Sequence, residues 1–257
     1  MTAHMGRLGI LPLAAIVAFV VAACLVAPSP ASAGSPVVVE LFTSQGCSSC
    51  PPADEYLGEL ATRGDIIPLA FHVDYWNYIG WADPFATKQM THRQKAYSRA
   101  LGQRYIYTPE MVINGAAQEV GSNRHGVETI IAAALKTPAA GPPISLTRED
   151  DGRIRLRIGA GARAKAPKDM STIWLVKFDR EHTTPVELGE NKGRTLTDYN
   201  VVRTLHQLGS WTGEAVDLVY DASEPDEPGS GGCAILVQRD AAGPIIAAAM
   251  LKFASGS

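Results

Sequence analysis

Residues 43–54 read TSQGCSSCPPAD. Cys47 and Cys50 are separated by two serines, follow an apolar β-like run and precede a helical pattern. A thiol at a helix N-terminus meets unpaired N–H groups and the positive end of the helix dipole. Both favour the thiolate, so the pKa falls and the sulfur becomes a nucleophile near neutral pH. A second thiol three residues on lies within one helical turn, close enough to attack a mixed disulfide and release its substrate. The competing readings are a metal site and a structural bridge. Zinc needs more than two ligands, and no second Cys-x-x-Cys or His-x3–5-His completes a site. Residue 51 is Pro, not His, which excludes c-type haem attachment. A bridge across two residues closes too short a loop to gain much from unfolded-state entropy.

Other residues offer chemistry at looser spacing. His72, Asp74 and His92 are weighed as metal ligands beside the cysteines, in a copper-handling alternative. Ser48 and Ser49 lack the Gly-x-Ser-x-Gly setting of a hydrolase nucleophile. Tyr75, Trp76, Tyr78, Trp81 and Phe85 crowd eleven residues and suit either a platform for protein substrate or the packing of an irregular insertion.

The elements that must position the pair follow from periodicity. Residues 36–42 form a buried strand, 53–62 a helix stopped by Gly64, and 66–73 a second strand. Pro51 and Pro52 are expected to loosen the first turn of that helix, because neither donates a backbone hydrogen bond. A polar helix spans 87–101 and ends at Gly102. A short strand, 109–113, turns at Asn114-Gly115 into a return strand at 118–120, and a third helix spans 124–135. This alternation predicts an α/β sheet with parallel pairs. Residues 137–143, TPAAGPP, read as a linker. Beyond them the period becomes two: Ile154, Leu156 and Ile158 alternate with arginines after a turn at Asp151-Gly152. Further strands are expected at 172–178, 194–205, 215–220, 233–238 and 245–252, as in a β-sandwich or small barrel. Residues 223–232 read as a mobile acidic loop, and Cys233 as a small core residue.

Of the 257 residues, 46% are hydrophobic and 19% charged, with net charge −3. That balance gives a globular core and no field suited to nucleic acid. Arg7, the apolar run Leu8–Val26 and Ala31-Ser32-Ala33 have the order of a secretory signal peptide over 1–33. An uncleaved membrane anchor is the first alternative. The second is a lipoprotein anchored at Cys24, after Val21-Ala22-Ala23. Signal cleavage places the chain in the periplasm or outside the cell, with no stable membrane span and in an oxidising setting. It leaves Cys47, Cys50 and Cys233, an odd number.

With its Cys-x-x-Cys at a strand-to-helix junction and Thr108-Pro109 before a hairpin and last helix, the chain resembles the thioredoxin superfamily. LFTSQGCSSCPPAD, HVDYWNYIGWADPFA and YTPEMVINGAAQEVGS resemble a family of exported bacterial thioredoxin-like proteins, DUF1223. The resemblance implies an α/β thioredoxin-like domain over 35–136, followed after the linker by an all-β, sandwich-like domain over 144–257. It implies that Cys47 is the exposed attacking thiol and Cys50 the resolving one. Pro109 would be a cis proline facing them, and Thr108 would offer its backbone to a bound peptide. Glu40, in the preceding strand, matches a buried acid that takes the proton of Cys50; the alternative is an acid turned to solvent at a strand edge. Gly46 stands where the superfamily usually has Trp, which leaves the direction of electron flow open. The expected activity is thiol–disulfide exchange with exported protein thiols or disulfides and a further redox partner. The dithiol carries the electrons without a cofactor. A non-catalytic interaction protein on the same scaffold is the other alternative. N-terminal sequencing of the exported chain should begin at Gly34; a lipidated Cys24 or an intact N-terminus would overturn the signal assignment.

Overall fold

The computed structural model describes residues 1–2, 35–137, 141–166, 169–220, 230–240 and 242–253. The apolar run and cleavage site of the signal, Cys24, and most of the expected loop at 223–232 lie outside the described residues. The first segment contains β1 (Val37–Thr43), α1 (Pro51–Leu60) and β2 (Ile66–His72), then a 3-10 segment Asp74–Ile79. It continues through α2 (Lys88–Ala100), β3 (Glu110–Ile113), β4 (Ala117–Val120) and α3 (Arg124–Lys136). The second contains β5 (Ile144–Arg148), β6 (Ile154–Ile158), β7 (Ser171–Pro185), β8 (Thr195–Trp211), β9 (Val216–Tyr220), β10 (Ser230–Arg239) and β11 (Ile245–Lys252).

Local chemistry sets the boundaries. Strand β1 is buried throughout, parallel to β2 and antiparallel to β3, so its apolar run covers both faces. Helix α1 begins at Pro51, a correction to the expected loosening: its first positions have no intrahelical acceptor for an N–H, and the fixed proline φ suits them. Thr87 and Asn123 cap α2 and α3 by accepting from Met90 N and Gly126 N. Asn114 and Gly115 both have positive φ, 49° and 62°, as a type I′ hairpin requires.

The protein is mostly β. One eight-stranded mixed sheet has the order β11-β10-β7-β8-β2-β1-β3-β4, and a three-stranded sheet the order β5-β6-β9. Segments 35–136 and 144–257 therefore do not form separate sheets. β8 lies parallel to β2, with Ala70 opposite Val201. The physical reason is that β2 is buried and needs a partner on each edge; β1 supplies one and β8 the other. The large sheet curls until its ends meet, as Ile245 N of β11 donates to Asn114 O beside β3.

Three apolar clusters fill the layers. Helix α2 sits in the concave face, with Met90 and Tyr97 among Val38, Phe42, Phe71, Phe178, Val202 and Leu236. On the other face of β1 and β2, Val39 and Leu41 meet Leu57 and Leu60 of α1 and Val127 and Ile131 of α3. The small sheet lays Leu146, Ile154 and Leu156 on Ile173, Ile235 and Val237, a local sandwich that also buries Cys233. Side chains of this size each contribute about 1.5–3 kcal/mol by leaving water.

Helix α1 also packs on β8 from the distant segment. A Cβ at Gly58 would lie 2.6 Å from the Tyr199 ring. Gly58→Ala should therefore destabilise the protein by about 1–3 kcal/mol, read from the midpoint of a urea melt. An unchanged midpoint would mean that α1 does not depend on this close approach.

Candidate active site

Cys47 and Cys50 close a disulfide with their Cα atoms 5.5 Å apart. The loop after β1 is tightened by Cys47 N donating to Ser44 O and Cys50 N to Cys47 O. Cys50 then begins α1, its carbonyl accepting from Ala53 N and Asp54 N. The Thr108–Pro109 peptide bond is cis. Cys47 Sγ lies 3.9 Å from the Thr108 carbonyl and 3.3 Å from Ser49 Oγ. Trp76 Nε1 donates to Thr108 Oγ1 at 2.7 Å, and Gly121 N donates to Pro109 O. The structure thus brings together Cys47, Cys50, Thr108 and Pro109. It corrects one expectation: Cys47 is not exposed. Both cysteines have 0% exposure, whereas Ser48 and Ser49 between them face solvent.

Glu40 is buried, neither at a solvent edge nor beneath the pair. In β1, residues 38, 40 and 42 face α2, while α1, which carries Cys50 at its start, packs on the opposite face. The Glu40 carboxylate accepts from Arg93 Nε at 2.7 Å and from the Tyr97 hydroxyl; Gln238 of β10 binds Tyr97 and Arg93 in turn. This network clamps α2 inside the curled sheet. Removing one partner of such a buried ion pair costs about 3–5 kcal/mol, which gives Glu40 a structural reason for its place.

A different set of buried ionisable groups lies on the α1 face. Asp54 is one helical turn beyond Cys50 and only 6% exposed. His72, at the end of β2, shares a 2.8 Å hydrogen bond with Asp83 through Nδ1, and its Nε2 is 4.0 Å from Asp198 of β8. Gln45 joins these groups to the cysteine loop. Its N–H donates to Asp83 and its Nε2 to Asp198, while its Oε1 accepts from Trp81 Nε1. Burial pushes the Asp54 carboxyl up to about 8; the Asp198 charge reinforces this, while Thr43 and His72 oppose it. Asp198 is also raised by burial, against the pull of His72 and Gln45. For His72, burial disfavours charge, but Asp83, Asp198 and Asp54 outweigh it and bring its pKa to about 9. Asp83 stays below the usual carboxylate range: burial raises it, but His72 and two backbone N–H groups lower it further. Asp54, one helical turn from Cys50, is thus held protonated well above the ordinary carboxylate range, as a general acid for a leaving thiolate would have to be.

The other candidates fall into place around this set. His72 is engaged by Asp83, and Asp74 accepts from Thr91 Oγ1. His92 lies exposed on α2, so the three do not converge. Among the described residues, no group of three or more His, Cys, Asp or Glu is arranged to hold a metal ion. Most of the aromatic run points inward: Trp76 binds Thr108, Trp81 binds Gln45, and Phe85 packs on His72. Tyr78 alone among them stands well out, at 81% exposure. Sequence reasoning passed over Asp54, Asp83, Asp198 and Gln45. The one local signal was an acid a turn beyond Cys50, on the same stretch as the buried Ala53 and Leu57.

The raised groups give stability a sign. Folded Asp54 holds a proton that its unfolded form loses near the ordinary value of 3.8, so its contribution falls as pH rises from about 4 to about 8. The stabilising effect of the raised His72 is complete below 6.5 and lost as pH climbs towards about 9. Urea midpoints should therefore drop between pH 5 and pH 8. Asp54→Asn, neutral in both states, should bring the two midpoints closer together. An unchanged difference would mean that Asp54 titrates normally.

No curated protein matches the chain. A crystal structure of a protein from Agrobacterium tumefaciens is similar, with 34% identity and a TM-score of 0.73, covering 86% of this chain and 96% of that one. HBP35 of Porphyromonas gingivalis is similar in fold, with 13% identity and a TM-score of 0.53, covering 86% of this chain and 76% of that one. The family model described as a protein of unknown function, DUF1223, matches residues 38–238, on both sides of the expected linker, and the chain belongs to that family.

Proposed function

We propose that this protein is an exported thiol–disulfide oxidoreductase, with a thioredoxin-like first segment and a second segment that completes its site. The arrangement that carries the reading is a cysteine pair at a helix N-terminus, next to a cis Thr108–Pro109 bond and one turn from Asp54, whose carboxyl is pushed up to about 8 by burial. A purely structural bridge gives no reason to bury a protonated acid there. In the oxidising direction, a substrate thiolate attacks Cys47 Sγ. The Cys47–Cys50 bond breaks, and the electron pair leaves on Cys50, which takes the Asp54 proton. A second substrate thiolate then attacks the substrate sulfur of the mixed disulfide and displaces Cys47 as thiolate. The substrate loses two electrons and gains a disulfide, while the pair gains two electrons. The reducing direction is the same sequence reversed. Cys47 is the exchanging sulfur and Cys50 the resolving one. Thr108 and Pro109 border the approach, and polypeptide thiols or disulfides are the substrates.

Cys47→Ser should abolish exchange with a disulfide-bonded test protein, and Cys50→Ser should accumulate mixed disulfides identifiable by mass spectrometry. Asp54→Asn should slow exchange by about 10²-fold, the low end for loss of a positioned acid or base. If both cysteine variants exchange like the wild type, the pair is a structural bridge.

A further inference from the structure

Strand β7 runs beyond its expected end at residue 178 and pairs there with the first part of β8, from Glu181 opposite Tyr199 to Pro185 opposite Thr195. The tip of this arm, residues 186–194, lies against the cysteine loop. Asn191 is 1% exposed, and its Nδ2 donates to the carbonyls of Gln45 and Cys47, each at 2.9 Å. Arg194 Nη1 donates to Asn191 Oδ1 and so orients the amide. Beside it, Glu190 Oε2 accepts from Ser48 N at 3.2 Å and from Ser48 Oγ at 2.7 Å. Gly189, at φ +73°, lets the tip approach to 3.2 Å of the Trp81 Cβ, measured from where its own Cβ would be.

We propose that Glu190 and Asn191 are positioning residues that latch the Cys47–Cys50 loop shut, and that the tip must swing off before a thiol reaches the pair. The inference rests on reading the pair as the site of exchange. Attack on a sulfur needs access to it, and neither cysteine has exposed surface. The latch makes four hydrogen bonds to three residues of the loop: to the Gln45 carbonyl, to the Cys47 carbonyl, and to Ser48 through both its N–H and its hydroxyl. Two of these go to a carboxylate and are about twice as strong as neutral ones. The Glu190 contacts are at the solvent edge and release first; the Asn191 contacts are buried and release last.

Opening takes the Asn191 donor from the Gln45 carbonyl and leaves the Cys47 carbonyl with Cys50 N alone. A polypeptide thiol brings backbone N–H groups that can replace the Asn191 amide, whereas a simple monothiol cannot. The latch therefore selects polypeptides over small thiols by leaving the buried Gln45 carbonyl unpaired in the wrong complex.

The test uses the oxidised full chain and the rate at which dithiothreitol releases its thiols, with urea midpoints on the same samples. Glu190→Ala should accelerate reduction about tenfold, the order of one hydrogen bond to a charged group. Glu190→Gln, whose neutral amide oxygen still accepts from Ser48 but more weakly, should accelerate it by only about threefold. Asn191→Ala should exceed Glu190→Ala. If Asn191→Ala also lowers the midpoint, the exposed Glu190 pair of variants decides. Equal rates for the wild type and Glu190→Ala, or equal acceleration by Ala and Gln, overturn the latch. Dithiothreitol reads access without protein exchange, so the two readings fail separately. Acceleration without trapped mixed disulfides sinks the exchange reading alone. Trapping without acceleration sinks the latch alone.

Discussion

A charge buried away from water is tolerated only when it is partnered, and four ionisable side chains are buried together beside the disulfide. Asp83 satisfies the rule with His72 and with the N–H groups of Gln45 and Phe85. Asp83 above all, with smaller help from Asp198 and Asp54, raises the pKa of His72 against its burial. Too few cations remain for the other acids to be fully ionised, and the raised pKa values of Asp54 and Asp198 follow from that shortage. The same constraint fixes geometry, because the end of β2, the first turn of α1, the loop carrying Asp83 and the first part of β8 must all converge. Gln45 suits the convergence point because an amide donates and accepts without adding another charge.

The second segment is accordingly part of the site's construction. Asp198, Glu190 and Asn191 all come from β8 or the loop before it, and they arrive because β8 is hydrogen-bonded next to β2. Asn200, at φ 46°, reinforces the seam by donating to Pro68 O. On the concave side the Glu40–Arg93–Tyr97–Gln238 network binds α2 to strands from both segments. The small sheet, in contrast, touches only the far end and supports β7, β10 and β11.

Much of this was legible from residues alone. The period of β1 and β2, the Asn114-Gly115 turn and the helix stop at Gly102 are local signals, and each lies where local chemistry put it, whereas α1 ends at Leu60, short of the expected stop at Gly64. The long arm of β7 was not visible, although its partner residues 195–199 lie inside the strand expected at 194–205. Residues 180–184, REHTT, are polar and pair only with the opposite arm, so no buried face marks them as strand. The shared sheet was hidden for a related reason, since a linker rich in Pro and Gly reports a break in local structure and not which edges later pair. Glu40 was assigned by its offset from the cysteines, but in a strand a one-residue change of offset moves a side chain to the other face. The acid cluster joins residues 45, 54, 72, 83 and 198, and only tertiary contact relates them.

The place of β8 beside β2 also orders events in time. Residues 70 and 201 are neighbours in space but far apart along the chain, and closing so long a loop is slow compared with forming a hairpin or a helix. Cys47 and Cys50 are three residues apart and can meet in the unfolded chain. Oxidation of the pair can thus precede its burial, and the chain can commit to a disulfide before the groups that will surround it arrive. During that interval β2 presents a bare, apolar edge, the kind of surface that recruits strands from other molecules. The interval ends when the late strand docks, so the maturation rate of the protein depends on its second half.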